Sequence, residues 1–91
     1  ASDVYKRQAQ CLELAQRFVS GKIRNARKLL MRNAVVQPVP FLQRLKCAAH
    51  DALQAGTMES LLGIEGAAAA AYFSEFAGML KHDDDDLPGL E

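Results

Sequence analysis

The chain has 91 residues, 49% of them hydrophobic and 24% charged, with a formal net charge of zero. That is enough for one small domain or part of a larger one, and too apolar for a disordered segment. No apolar run approaches the ~18 residues of a membrane span and no charged-then-apolar leader precedes a cleavage site, so no membrane partner is expected and a cytoplasmic location is.

The neutral total hides a division along the chain. Residues 1–50 hold ten Lys and Arg against the acids Asp3 and Glu13, whereas residues 51–91 hold Lys81 against nine acids. Such asymmetry points to a polyanionic partner for the first half. The start at Ala1 rather than Met is read as the mark of a piece of a longer protein. Residues 1–8 fit poorly with the pattern of residues 9–34 and are set apart as a non-native leader.

From about Ala9 to Ala34 the pattern predicts a long helix. Leu12, Ala15, Val19, Ile23, Ala26 and Leu30 recur at steps of three and four, within ~40° of one line on a 3.6-residue helix. Cys11, Phe18 and Leu29 are expected to widen that buried face, and Gly21 falls opposite it. The run Gln37-Pro38-Val39-Pro40 breaks the helix. A second helix is expected over Phe41–Gln54, with Leu42, Leu45, Ala49 and Leu53 inward. Gly56 ends it, and Thr57 is the N-cap of a short turn through Met58 to Leu62.

Gly63 punctuates, and a third helix is predicted from Ile64 to Lys81. Its apolar line is Ala69, Tyr72, Phe76 and Met79, with Phe73 and Leu80 beside it. Ala67, Ala70, Ser74, Gly78 and Lys81 lie on the other side. The tail HDDDDLPGLE reads as loop. No strand pattern appears, so the fold class is all-α: three main helices and no sheet. The cysteines, Cys11 and Cys47, lie far apart with no C-x-x-C pairing and are read as free thiols.

Two features point to chemistry. Arg17, Arg24, Lys28 and Arg32 project opposite the apolar stripe of the first helix, flanked by Lys22 and Arg27. A solvated face and a DNA-backbone track both explain this rail. Taken alone, a solvated face is the commoner meaning of such a run; what argues for the track is its single sign, because acid–base pairs at four-residue spacing would be expected of a face that served solubility only. The other feature is Glu65, which projects within ~40° of the apolar line of the third helix. A carboxylate there needs compensation from its helix N-terminus, a basic side chain or a metal ion.

The segment Gly63-Ile64-Glu65-Gly66, followed by small residues and Tyr72-Phe73, resembles the signature of the CRISPR-associated spacer-acquisition integrase, the Cas one family. Independently, residues 21–33 (GKIRNARKLLMRN) are similar to that family's upstream K-I-x-N-x-R-x-L-L-R-R-like helix. The resemblance covers roughly residues 9–90. It implies that residues 9–82 are part of a helical catalytic domain and that 83–91 are a truncated acidic loop. It implies a metal-dependent DNA endonuclease and integrase that inserts spacers into CRISPR arrays by phosphodiester transesterification. Glu65 would then be a catalytic metal ligand for Mg²⁺ or Mn²⁺. The implied partners are DNA, a second copy in a homodimer, and a small second CRISPR adaptation protein, Cas two.

The family's further metal ligands, a histidine and an aspartate, fall beyond Glu91, and the piece alone is expected to be inactive. His50 reads as a surface or packing residue, and His82 with Asp83–Asp86 as a solvated run of like charge. Two rivals stand beside this reading. One is a non-catalytic DNA-binding module in which 62–66 make a helix-hairpin-helix-like turn, with Glu65 where that motif has glycine. The other is a helical interaction domain whose rail binds an acidic protein.

Overall fold

The computed structural model describes residues 2–34 and 36–86, and the side chains of residues 3–34 and 36–78. Among these residues the chain forms three helices and no strand: α1 (Ser2–Asn33), α2 (Val39–Gln54) and α3 (Met58–Asp86). The all-α expectation holds.

α1 starts earlier than its apolar periodicity suggests. Residues set apart as a leader are helical from Ser2, and the side chains of residues 3–10 are exposed. The predicted stripe is the buried one: Val19, Ile23 and Leu30 are in the core, with Leu12 and Ala15 packed against it. The predicted widening is not observed. Cys11 and Leu29 are exposed, and Phe18 is 68% exposed. α2 covers the other flank of the stripe, where Ser20 is buried instead. At the end of α1 the Ala34 N–H donates to the Leu30 carbonyl at 2.9 Å. The Gln37 side-chain amide donates to the Met31 carbonyl at 2.9 Å, satisfying an acceptor that a helix end leaves without partner.

α2 begins at Val39, two residues before the predicted start, with Pro40 in its first turn. A proline there loses an N–H that has no intrahelical partner anyway. The second helix therefore begins inside the predicted 37–40 break rather than after it. Phe41, Leu42, Leu45, Ala49 and Ala52 form its buried face. Ala55 closes the helix in extended conformation, its N–H donating to the Ala52 carbonyl.

Three side chains of α1 donate to carbonyls of the α2 segment in antiparallel register. Gln16 donates to Ala55, Ser20 to Ala49 at 2.8 Å, and Arg27 Nε to Leu42 at 3.1 Å. Ser20 is the buried member. Ser20→Ala is expected to lower stability by about 0.5–1.5 kcal/mol, the net worth of one such bond, measured as a shift in denaturant midpoint at constant slope.

α3 is one helix where the sequence suggests a turn, a break and a shorter helix. Thr57 caps it as expected, its hydroxyl accepting from the Ser60 N–H at 3.1 Å. Gly63 does not interrupt it. One exposed glycine costs about 1 kcal/mol relative to alanine, and the strong helix formers around it outweigh that. The helix also continues through 82–86, part of the predicted loop. The rest of that loop, 87–91, lies outside the described residues, as do the side chains of Met79, Leu80, Lys81 and His82.

The buried side of α3 is rotated from the predicted line. Leu61 and Ala68 are in the core, with Ile64, Ala71 and Tyr72 packed against it. Ala69 is exposed, Phe76 is largely outside the core, and Phe73 is 67% exposed. Among the described side chains Tyr72 alone belongs to both sets. It stacks on Phe76 at 6.1 Å and meets Phe73 edge-on at 6.0 Å. Cys11 and Cys47 are free and exposed, in line with the thiol reading.

Candidate functional site

Glu65 lies two turns into α3, on the side of the helix that meets α1. This position removes one of its three candidate compensations. The favourable field of a helix N-terminus fades within the first turn, and α3 starts at Met58 rather than at the predicted Ile64. A basic side chain is the compensation observed: Lys22 Nζ donates to Glu65 Oε1 at 3.2 Å. The carboxylate is also not enclosed by hydrocarbon. The side chains of Lys22 and Glu65 are 53% and 32% exposed.

The rotation of α3 explains the difference. With Leu61 and Ala68 facing the core, Glu65 falls at the edge of the buried face. Lys22 occupies the matching edge of α1. On a 3.6-residue wheel it stands about 80° to one side of the Val19–Ile23–Leu30 stripe, and Arg27 about 60° to the other. Lys22 thus turns toward α3 and Arg27 toward α2. The sequence reading treats the two alike as flanks of one rail and misses the pairing. Their opposite offsets from the stripe are the signal that separates them.

The rail itself is partly neutralised. Arg17 pairs with Glu13 at 2.8 Å, with side chains 70% and 60% exposed, so an acid does stand at four-residue spacing. Such a wet pair contributes about 0–1 kcal/mol and is readily exchanged. Arg27 is half-buried and bonded to the Leu42 carbonyl. Arg24, Lys28 and Arg32 are exposed, and among the described residues no carboxylate pairs with them.

The helix-hairpin-helix alternative is not what the chain forms. Residues 62–66 are continuous helix inside α3, so their N–H groups point along the helix axis rather than out of a turn. His50 is exposed, as a surface residue should be. Among the described residues no three His, Cys, Asp or Glu side chains converge on a metal-sized space. Glu65 nevertheless has the chemistry of one ligand. Its oxygens are hard donors of the kind Mg²⁺ and Mn²⁺ take, it is accessible, and its present partner is exposed. It fits as a single contributor to a shared site, the other positions falling to water or to residues beyond those described. Elsewhere, Val4, Arg7, Gln8, Cys11, Leu12 and Met58 line a cavity of about 560 Å³ that shares no residue with the Lys22–Glu65 pair. No described helix is long and apolar enough to cross a membrane.

Comparison with known proteins identifies the family. Residues 2–88 match the family described as CRISPR associated protein Cas1. The chain is 39% identical over 87 residues to a CRISPR-associated exonuclease Cas4/endonuclease Cas1 fusion of Geobacter sulfurreducens, covering 89% of this chain and 16% of that protein. It is 43% identical over 93 residues to a protein of the same description from Rhodospirillum rubrum, covering 99% and 15%. It is 46% identical over 72 residues to CRISPR-associated endonuclease Cas1 3 of Thermus thermophilus, covering 79% and 20%. The chain therefore spans only about a sixth to a fifth of these relatives. No solved structure matches it. With nearly the whole chain matched, and with residues 21–33 and 63–66 brought together at the Lys22–Glu65 contact, the chain belongs to the Cas1 family of CRISPR-associated proteins.

Proposed function

We propose that this chain is part of the helical catalytic domain of a metal-dependent DNA endonuclease and integrase that inserts spacer DNA into CRISPR arrays. The observation that carries the reading is the meeting of two segments far apart in sequence. The helix around Lys22 and the Gly63–Gly66 segment lie side by side, with an accessible carboxylate at their contact. Glu65 is the metal ligand in this reading, and Mg²⁺ or Mn²⁺ the metal. With a divalent cation held by Glu65, the site would have the positive charge needed to neutralise the attacked phosphate and to stabilise the charge that develops in the transition state.

Arg24, Lys28 and Arg32 hold the DNA backbone, joined by Arg17 once it leaves Glu13, with Lys22 and Arg27 at the flanks. Positioned in this way, the 3′-oxygen of the spacer bonds to phosphorus as a bridging P–O bond of the target strand breaks. The departing 3′-oxygen takes up the proton that the nucleophile loses, so the step is transesterification without net hydrolysis. The complete protein acts in the cytoplasm as a homodimer, together with the small adaptation protein Cas two.

Metal removal tests the reading. Full-length protein is expected to join spacer to target in Mg²⁺ or Mn²⁺ and to lose that activity in EDTA, with recovery on re-addition of metal. DNA binding through the rail should survive chelation and weaken steeply with salt. Equal strand joining with and without chelator would overturn the assignment.

A further inference from the structure

The ion pair at Glu65 holds more than a fold contact requires. Lys22 and Glu65 are 43 residues apart in sequence, and their pairing is the one ion pair between helices among the described residues. The Lys22 ammonium also sits over the Phe18 ring, 5.7 Å from its centroid, one turn back along α1. Phe18 and Glu65 thus both approach the ammonium. We propose that Lys22 is a positioning residue for Glu65, occupying the carboxylate in the metal-free protein and yielding it when a divalent cation binds. The proposal rests on the reading of Glu65 as a metal ligand.

Distances make joint occupancy unfavourable. The ammonium is 3.2 Å from Oε1, and a Mg²⁺ bound to that oxygen would lie at about 2.0–2.1 Å. The two cations would then be within about 5 Å of each other and repel. Exposure makes exchange feasible. A pair this wet is weakly held, and the four-carbon lysine stem can swing its charge into solvent. A buried pair of the same length would instead exclude the metal. In the metal-free state the ammonium keeps the carboxylate aimed at the α1–α3 seam and screens the negative charge that would otherwise repel DNA.

The test is Mn²⁺ binding to full-length protein, read by calorimetry or by the electron paramagnetic resonance of free Mn²⁺, without DNA or turnover. Lys22→Met is expected to bind Mn²⁺ about three- to tenfold more tightly than wild type, because the competing charge is gone. Lys22→Gln should show the same direction if Lys22→Met folds poorly, and Lys22→Arg should stay near wild type. Glu65→Gln should weaken binding. Unchanged or weaker Mn²⁺ affinity in the neutral Lys22 variants, with Glu65→Gln still impaired, would overturn the proposal and leave Glu65 as a ligand. Unchanged affinity in Glu65→Gln would remove the ligand reading itself, and this proposal with it.

Discussion

Glu65→Ala in the full-length protein is expected to reduce spacer integration by about a hundredfold or more while the protein stays folded. The magnitudes separate a chemical role from a structural one. The only hydrogen bond or ion pair the carboxylate makes among the described residues is the exposed Lys22 pair, and such pairs contribute about 0–1 kcal/mol. Losing that cannot unfold a protein of ordinary stability, about 5–15 kcal/mol. Neither does it strand a buried charge, because Lys22 is 53% exposed. A transition-state interaction removed is worth several kcal/mol, and each 1.36 kcal/mol is a factor of about ten in rate. Glu65→Gln keeps the shape and removes the charge, so it should fall with Glu65→Ala. Turnover at the wild-type level in either variant, with an unchanged melting curve, would sink the assignment.

The two segments that make the site are legible in the sequence, but their relation is not. Glu65 stands out because a carboxylate projects near an apolar line, and Lys22 because it lies beside a run of like charge. What the sequence cannot supply is the rotation of α3. The five alanines at 67–71 are equally compatible with the core and with solvent, so the periodicity of that helix rests on Tyr72, Phe76 and Met79. Packing instead selects Leu61, Ile64 and Ala68, and the turn of the helix moves Glu65 from the centre of the buried face to its edge. Only then does Lys22 come into reach.

Helix boundaries are misplaced for a related reason. Local preference makes Gly63 and the aspartate run look like stops, yet α3 passes through both positions. Propensity is a weak term of at most about 1 kcal/mol per residue, and tertiary packing of Leu61 and Ala68 on either side of Gly63 overrides it. The stripe of α1 is legible because six residues define it. Its supposed extension to Phe18 and Leu29 fails because periodicity reports which residues are apolar, not which of them a neighbouring helix covers. In this chain α2 and α3 take the Val19–Ile23–Leu30 side and leave Phe18 outward, where it meets Lys22.

That distinction sets up a contrast in stability. Leu45, 2% exposed in the middle of α2, lies on the helix face that supplies more of the core than either other helix, while Phe18 is larger and 68% exposed. Leu45→Ala is expected to cost about 2–5 kcal/mol, the transfer of the lost methyl and methylene groups plus the cavity left behind. Phe18→Ala should stay within about 0.5 kcal/mol, as surface substitutions usually do. Urea denaturation followed by circular dichroism checks both, with the midpoint falling for Leu45→Ala at an unchanged slope. Residue size alone would give the opposite order. Helical signal from α1 and α3 should be lost in the same transition, because the core residues of both helices belong to the cluster that Leu45 anchors. If Phe18→Ala proves the more damaging variant, α1 buries a different face from the one described, and the Lys22–Glu65 contact that depends on its rotation cannot form.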